Sequence, residues 1–150
     1  MSSESDLIKL YSSRILALAA DIPHLDRLEA PDATVKKRAP LCGSAITVDL
    51  RLSNGKITDF GQDVKACALG QASASIVGSA ILGCTYDQVE TARDQLKSML
   101  MDKGPVPSSP FDGLEVLIPA RDFKNRHASI LLALEATLEA MQQITRKNYA

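Results

Sequence analysis

An excess of charge of either sign is missing from this chain: 17 Lys and Arg stand against 18 Asp and Glu, for a net charge of −1. Bulk electrostatics therefore give no reason to expect nucleic acid or an anionic membrane as partner. No apolar run approaches the roughly 20 residues of a membrane span. The opening stretch MSSESDLIKL is acidic where an export signal would carry an apolar core, so a cytoplasmic location is expected. Cysteine is scarce and odd in number, at three. That suits reactive or metal-binding thiols in a reducing compartment better than a disulfide framework. Internal repeats and low-complexity segments are also missing. Nothing resembles a general acid–base pair or a phosphate-binding loop, which argues for a carrier or binding protein and against an enzyme.

What is present suits a single domain over 1–150 with one core, given 150 residues that are 45% hydrophobic and 23% charged. The central stretch runs from Arg38 to Ser75. Two β-rich segments flank Ser53-Asn54-Gly55-Lys56, and Asn-Gly is the strongest local signal for a two-residue type I′ hairpin. If Ser53 pairs with Lys56, counting outward sets Cys42 opposite Cys67, with Cβ atoms about 4.5–5.5 Å apart. Ile46, Val48, Leu50 and Leu52 share one face of the first strand. Unbroken pairing would turn Phe60 and Val64 away from that face, so the alternation predicts one extra, bulged residue near Asp59. The cysteines are then offset by one position at the same end of the sheet.

Helical spacing predicts a first helix over Asp6–Ala20, followed by a loop from Ile22 to Asp32 in which His24 faces solvent. Thr34–Arg38 reads as a short edge strand. Ala68–Leu82 is a helix crowded with Ala, Ser and Gly, expected to lie close against the sheet, with Gly83 as its cap. Thr85 and Gln88 form a capping-box pattern that opens a helix running to about Asp102. Leu114–Ile118 is apolar but of ambiguous type. The last helix is expected from Asn125, with Ile130, Leu131, Leu134, Leu138 and Met141 on one stripe. The fold class is therefore α+β: a three-stranded antiparallel sheet, strands near 34–38, 43–53 and 56–65, with helices packed on one face. Ile76, Leu131 and Leu134 should meet the inward face of the sheet.

Chemistry concentrates at one end of that sheet. Cys67 lies where a strand ends and a helix starts, so amide N–H groups and the positive helix terminus favour a thiolate there. Cys42 approaches from the neighbouring strand end. Two buried structural cysteines are the plainer alternative, since free cysteine is often buried as a small hydrophobe. His127 lies in the first turn of the last helix, where a histidine is commonly a surface residue. Two thiolates and an imidazole would form a zinc or iron–sulfur ligand set with an open fourth position. Cys84, one helix length beyond Cys67, reads as a structural thiol remote from the site.

From Leu7 to Met141 the chain resembles the iron–sulfur cluster scaffold proteins of the IscU/NifU/SufU type. The resemblance rests on Ala39-Pro40-Leu41-Cys42-Gly43, which is similar to the family's P-x-C-G-D. It rests also on Cys67-Ala68-Leu69-Gly70-Gln71-Ala72-Ser73-Ala74-Ser75, similar to G-C-x-I-S-x-A-S-A-S, and on Arg126-His127-Ala128-Ser129-Ile130-Leu131. The connector before that last segment is more like the SufU branch, and the Leu-Pro-Pro-Val-Lys chaperone motif is absent. The resemblance implies an IscU-like fold, shared with SufE, and a transient [2Fe–2S] cluster or Zn2+ held at Cys42, Cys67 and His127. It implies a cysteine desulfurase and apo-protein acceptors as partners, and a monomer or weak homodimer. Two positions depart from the pattern: Ser44 stands for the family's aspartate and Ala128 for its third cysteine. The fourth ligand would come from water, Ser44 or a partner. The alternative is a degenerate member that keeps the fold and a docking surface but binds no cluster.

Overall fold

The computed structural model describes residues 12–40 and 43–149. In chain order they form α1 (Ser13–Ala20), β1 (Ala33–Arg38), β2 (Ala45–Ser53), β3 (Lys56–Lys65), α2 (Ala68–Ala80) and α3 (Tyr86–Met101). Two 3₁₀ segments, Asp112–Asp122 and Lys124–Arg126, lead into α4 (His127–Tyr149). The three strands form one antiparallel sheet in the order β1-β2-β3. No helix among the described residues is long and apolar enough to cross a membrane.

The hairpin turns at Asn54 and Gly55, both with positive φ (54° and 76°), as a type I′ turn requires. Ser53 pairs with Lys56 and Leu52 with Ile57, and then the register slips: Arg51 faces Asp59 and Leu50 faces Phe60. Thr58 is the extra residue, one position from where the alternation placed it. The slip lets both Ile57 and Phe60 turn inward, 1% and 4% exposed. Ile46, Val48 and Leu50 join them in one continuous core with Ile76, Leu131 and Leu134, while Leu52 is half-buried.

The helices lie on that inner face, with α4 packed across β1 and β2. Small residues on α2 do permit close approach, though chiefly to helices α1 and α4 instead of to the sheet. A Cβ on Gly70 would overlap the Ser129 hydroxyl of α4, and Ser73 Oγ donates to the Ile130 carbonyl at 2.6 Å. The capping box forms as read: Thr85 Oγ1 accepts from the Gln88 amide, and Gln88 Oε1 accepts from the Thr85 amide. Gly83, at φ +85°, makes the left-handed turn that follows α2.

Of the helix expected over Asp6–Ala20, the described part is Ser13–Ala20. Ser12 is non-helical (ψ 161°) and its hydroxyl accepts from the Ile15 amide, so it starts the helix as an N-cap. Residues 1–11 lie outside the described part. The ambiguous Leu114–Ile118 run is 3₁₀ structure whose Leu114, Leu117 and Ala120 are buried at three-residue spacing.

The outer face of the sheet carries a feature that alternation alone assigns to solvent. Asp49 is fully buried beneath the 22–32 loop. Its carboxylate accepts from Arg27 Nε and Nη2, the Leu28 amide and Thr34 Oγ1. Burial alone would raise its pKa. The hydrogen bonds from Arg27, Thr34 and Leu28, with the Arg27 charge, outweigh that and hold it below the ordinary carboxylate value.

Candidate functional site

Cys67 is the N-cap residue of α2, with extended backbone (φ −67°, ψ 169°) and no side-chain cap hydrogen bond. The thiol sits, half-buried, at the helix end where unpaired amides and the positive dipole terminus accumulate. Its Sγ lies 3.6 Å from Ser129 Oγ. Ser129, in turn, donates to Ser44 Oγ at 2.9 Å. Both serines are 2% exposed. Three elements therefore meet here: the segment entering β2, the start of α2 and the first turn of α4. Cys42 lies outside the described residues, and the ladder is described only as far as the Ala45–Lys65 pair.

His127 opens α4 and is 4% exposed. Its Nε2 lies 3.0 Å from the Ala120 carbonyl oxygen and 3.1 Å from that of Arg121. Two carbonyls can only accept, so in the neutral ring Nε2 carries the proton and Nδ1 keeps the lone pair. A histidine ligand whose second nitrogen is anchored on a backbone carbonyl is the common arrangement at metal sites. The donor chemistry of Cys67 and His127 Nδ1 thus fits zinc or iron. Among the described residues, no three His, Cys, Asp or Glu side chains are grouped to hold a metal ion.

Ala128 is half-buried and packs against the core. Cys84 lies beyond the opposite end of α2, 3% exposed, with Sγ donating to the Ala80 carbonyl at 3.2 Å. Burial pushes its thiol pKa up. His24 is exposed in its loop and meets Phe60 edge-on.

Ser129 is the site residue that the sequence reading passed over. A signal for it exists. Ser129, Ala133, Ala136, Thr137 and Ala140 recur at helical spacing and are all buried, forming a small-residue face distinct from the leucine stripe. A helix that is apolar on two faces is enclosed, and its one hydroxyl near the cysteine end needs a partner.

Residues 10–148 match the NifU-like N-terminal domain family. The iron–sulfur cluster assembly scaffold protein IscU of Thermotoga maritima is 25% identical over 139 residues, covering 91% of this chain and 96% of that protein. The scaffold protein of the same name from Streptococcus pyogenes is 23% identical, covering 93% and 87%. The crystal structure of a NifU-like protein (N-terminal) from Brucella abortus superposes with a TM-score of 0.92 at 40% identity, covering 95% of this chain and 99% of that one. The crystal structure of a putative SUF-system scaffold protein from Fervidobacterium islandicum shares the fold, with a TM-score of 0.78 at 18% identity and coverage of 89% and 98%.

Proposed function

The chain belongs to the NifU-like N-terminal domain family, and from that premise we propose that it is a single-domain scaffold or carrier for iron–sulfur cluster assembly. Its cargo is a transient [2Fe–2S] cluster, or a zinc or iron ion, held by Cys42, Cys67 and His127. The observation that carries the reading is the placement of Cys67: a half-buried thiol at a helix N-terminus, in a chain that matches the family nearly end to end. Metal binding displaces the thiol proton, and the helix terminus favours the resulting negative charge. His127 offers Nδ1 while the Ala120 and Arg121 carbonyls fix the ring.

With alanine at 128 this set has one protein ligand fewer than the usual four of an iron–sulfur cluster. It also carries one negative charge fewer than three thiolates would. The cargo is therefore held loosely and passes readily to an acceptor by ligand exchange. That is the work of a carrier and not of an enzyme. A cysteine desulfurase and apo-protein acceptors are the partners this role requires.

Anaerobic reconstitution with iron and sulfide tests the reading. Visible charge-transfer absorbance with matching iron and sulfide content is expected in the wild type. It should be lost in Cys67→Ser and Cys42→Ser, and reduced less in His127→Ala. Loss of cluster to a chelator should be slower in Ala128→Cys than in the wild type. Wild-type protein that takes up neither iron nor zinc would leave the second reading, a docking module without cargo. The departures at Ser44 and Ala128 favour that reading.

A further inference from the structure

The two outer edges of the sheet are finished differently. Along β3 the chain covers its own edge. The Gln62 amide donates to the His24 carbonyl, the Ile57 amide donates to the Cys84 carbonyl, and the Ile57 carbonyl accepts from the Gly83 amide. A Cβ on Gly61 would overlap the Asp26 carbonyl, so closely does the 22–32 loop run there. The other edge belongs to β1, which has β2 on one side and α4 across its inner face. Among the described residues, no backbone hydrogen bond reaches the free side of β1.

The register tells which backbone groups face that side. The Ala39 amide donates to the Ser44 carbonyl, continuing the antiparallel ladder that pairs Arg38 with Ala45. Hydrogen-bonded and non-hydrogen-bonded pairs alternate, so Val35 and Lys37 turn their N–H and C=O groups to β2. Thr34, Lys36 and Arg38 turn theirs outward, and all three residues are exposed. We propose that this edge takes up an extended acidic segment of a partner protein as a fourth strand.

Charge selects the occupant. Lys36 and Arg38 lie on the outer face of the sheet and form no ion pair among the described residues. Lys65 shares the Arg38 row across Ala45, and Asp63, the one acid in these two rows, lies two strands from Lys36. Lysine on an open edge ordinarily repels other strands. Here it repels a second copy of β1, whose own cations would lie opposite like charges. Carboxylates two residues apart on an added strand are attracted, since they meet Lys36 and Arg38 on one face. The side chain between them turns to the α4 side. A polar groove of about 230 Å³ lies there, lined by Lys37, Glu139, Gln142 and Arg146 among others, and suits a short polar side chain.

The test is titration at low ionic strength with a short capped peptide alternating Glu with Thr, following amide hydrogen exchange by NMR. In the free protein the Lys36 and Arg38 amides should exchange rapidly. Slow exchange there means that the edge is already taken, and overturns the proposal. The peptide should protect the Thr34, Lys36 and Arg38 amides, and absence of binding or of that protection also overturns it. Lys36→Pro removes an outward amide that the fold does not use, so it should abolish binding and leave the sheet intact. Undiminished binding in Lys36→Pro would mean that side-chain charge alone holds the peptide, and strand addition would be wrong. Lys36→Glu combined with Arg38→Glu should weaken binding about tenfold and confer affinity for a peptide alternating Lys with Thr. Equal affinity in this double variant overturns the selection by charge. Circular dichroism checks each fold, and the double variant with amide protection carries the test if Lys36→Pro does not fold. None of these outcomes bears on the cargo, which reconstitution judges separately.

Discussion

Cys67 and Cys84 flank the same helix, α2, and their contrast shows how position sets the character of a thiol. Cys67 caps the N-terminal end, half-buried, beside the Ser129 hydroxyl. Cys84 follows the C-terminal end, buried, with its S–H given to the Ala80 carbonyl and its pKa raised by desolvation. The helix N-terminus favours negative charge at the first site, and burial disfavours it at the second. On the proposed reading the first cysteine serves as a metal ligand, while the second keeps its proton.

The sharpest way to break this contrast is to exchange each thiol for a hydroxyl and measure zinc affinity by competition with a chromophoric chelator. Cys67→Ser should lower affinity by more than about 100-fold, beyond the ~10–100-fold typical of groups that only support a ligand. Cys84→Ser should leave affinity unchanged. Equal losses at the two positions would erase the distinction.

A second variant attacks the close approach that places Ser129 beside Cys67. Gly70→Val should destabilise the fold by about 3 kcal/mol in urea unfolding, because the new side chain overlaps Ser129 Oγ and crowds Ala66. Gly83→Ala, near Cys84, meets no atoms at all and costs only the strain of its positive φ, about 1 kcal/mol.

A third sharpens the comparison from outside it, at a buried acid with four donated hydrogen bonds. Asp49→Ala should cost about 2 kcal/mol, since it strips partners from the Leu28 amide and Thr34 hydroxyl. The Asp49 pKa is lowered in the fold, so its stabilising effect is present above the ordinary carboxylate value, about pH 4, and is lost as pH falls through the folded value. Acid unfolding of Asp49→Ala should accordingly show a shallower pH dependence than that of the wild type.

The smallest effect concerns Cys84 itself. A thiol whose pKa is raised by folding contributes stability that is complete below its unfolded value, about pH 8.5, and fades as pH rises through the folded one. Cys84→Ala should flatten the alkaline limb of stability against pH, which thermal melting between neutral and alkaline pH would register.

Much of this architecture is legible in the residues because it is enforced locally. Asn54-Gly55 permits only a tight turn, the Ile46–Leu52 alternation demands a bulge to keep Phe60 inside, and Thr85 with Gln88 closes its own capping box. What escaped depends on contacts between distant segments. Asp49 alternates onto the polar face, and nothing nearby says that the 22–32 loop will cover it. Ser129 lies two residues from His127, about 200° around a helix. Attention to the histidine therefore directs the eye to the wrong side of α4. The start of α1 follows from a local device: apolar spacing continues through Ser12, whereas the Ser12 hydroxyl caps a helix that begins at Ser13.

The bulge at Thr58 also sets which lengths of this hairpin the protein can accept. Ile57 and Phe60 both face the core only because one residue between them goes unpaired. A single-residue deletion at Thr58 or Asp59 would restore an unbroken ladder with every inward side chain still inward. The same deletion at Gly61 or beyond would turn the rest of β3 inside out, presenting Gln62 and Val64 to the loop that covers Asp49. Length variation in this strand is thus confined to a two-residue window, and homologous hairpins one residue shorter should have lost it there.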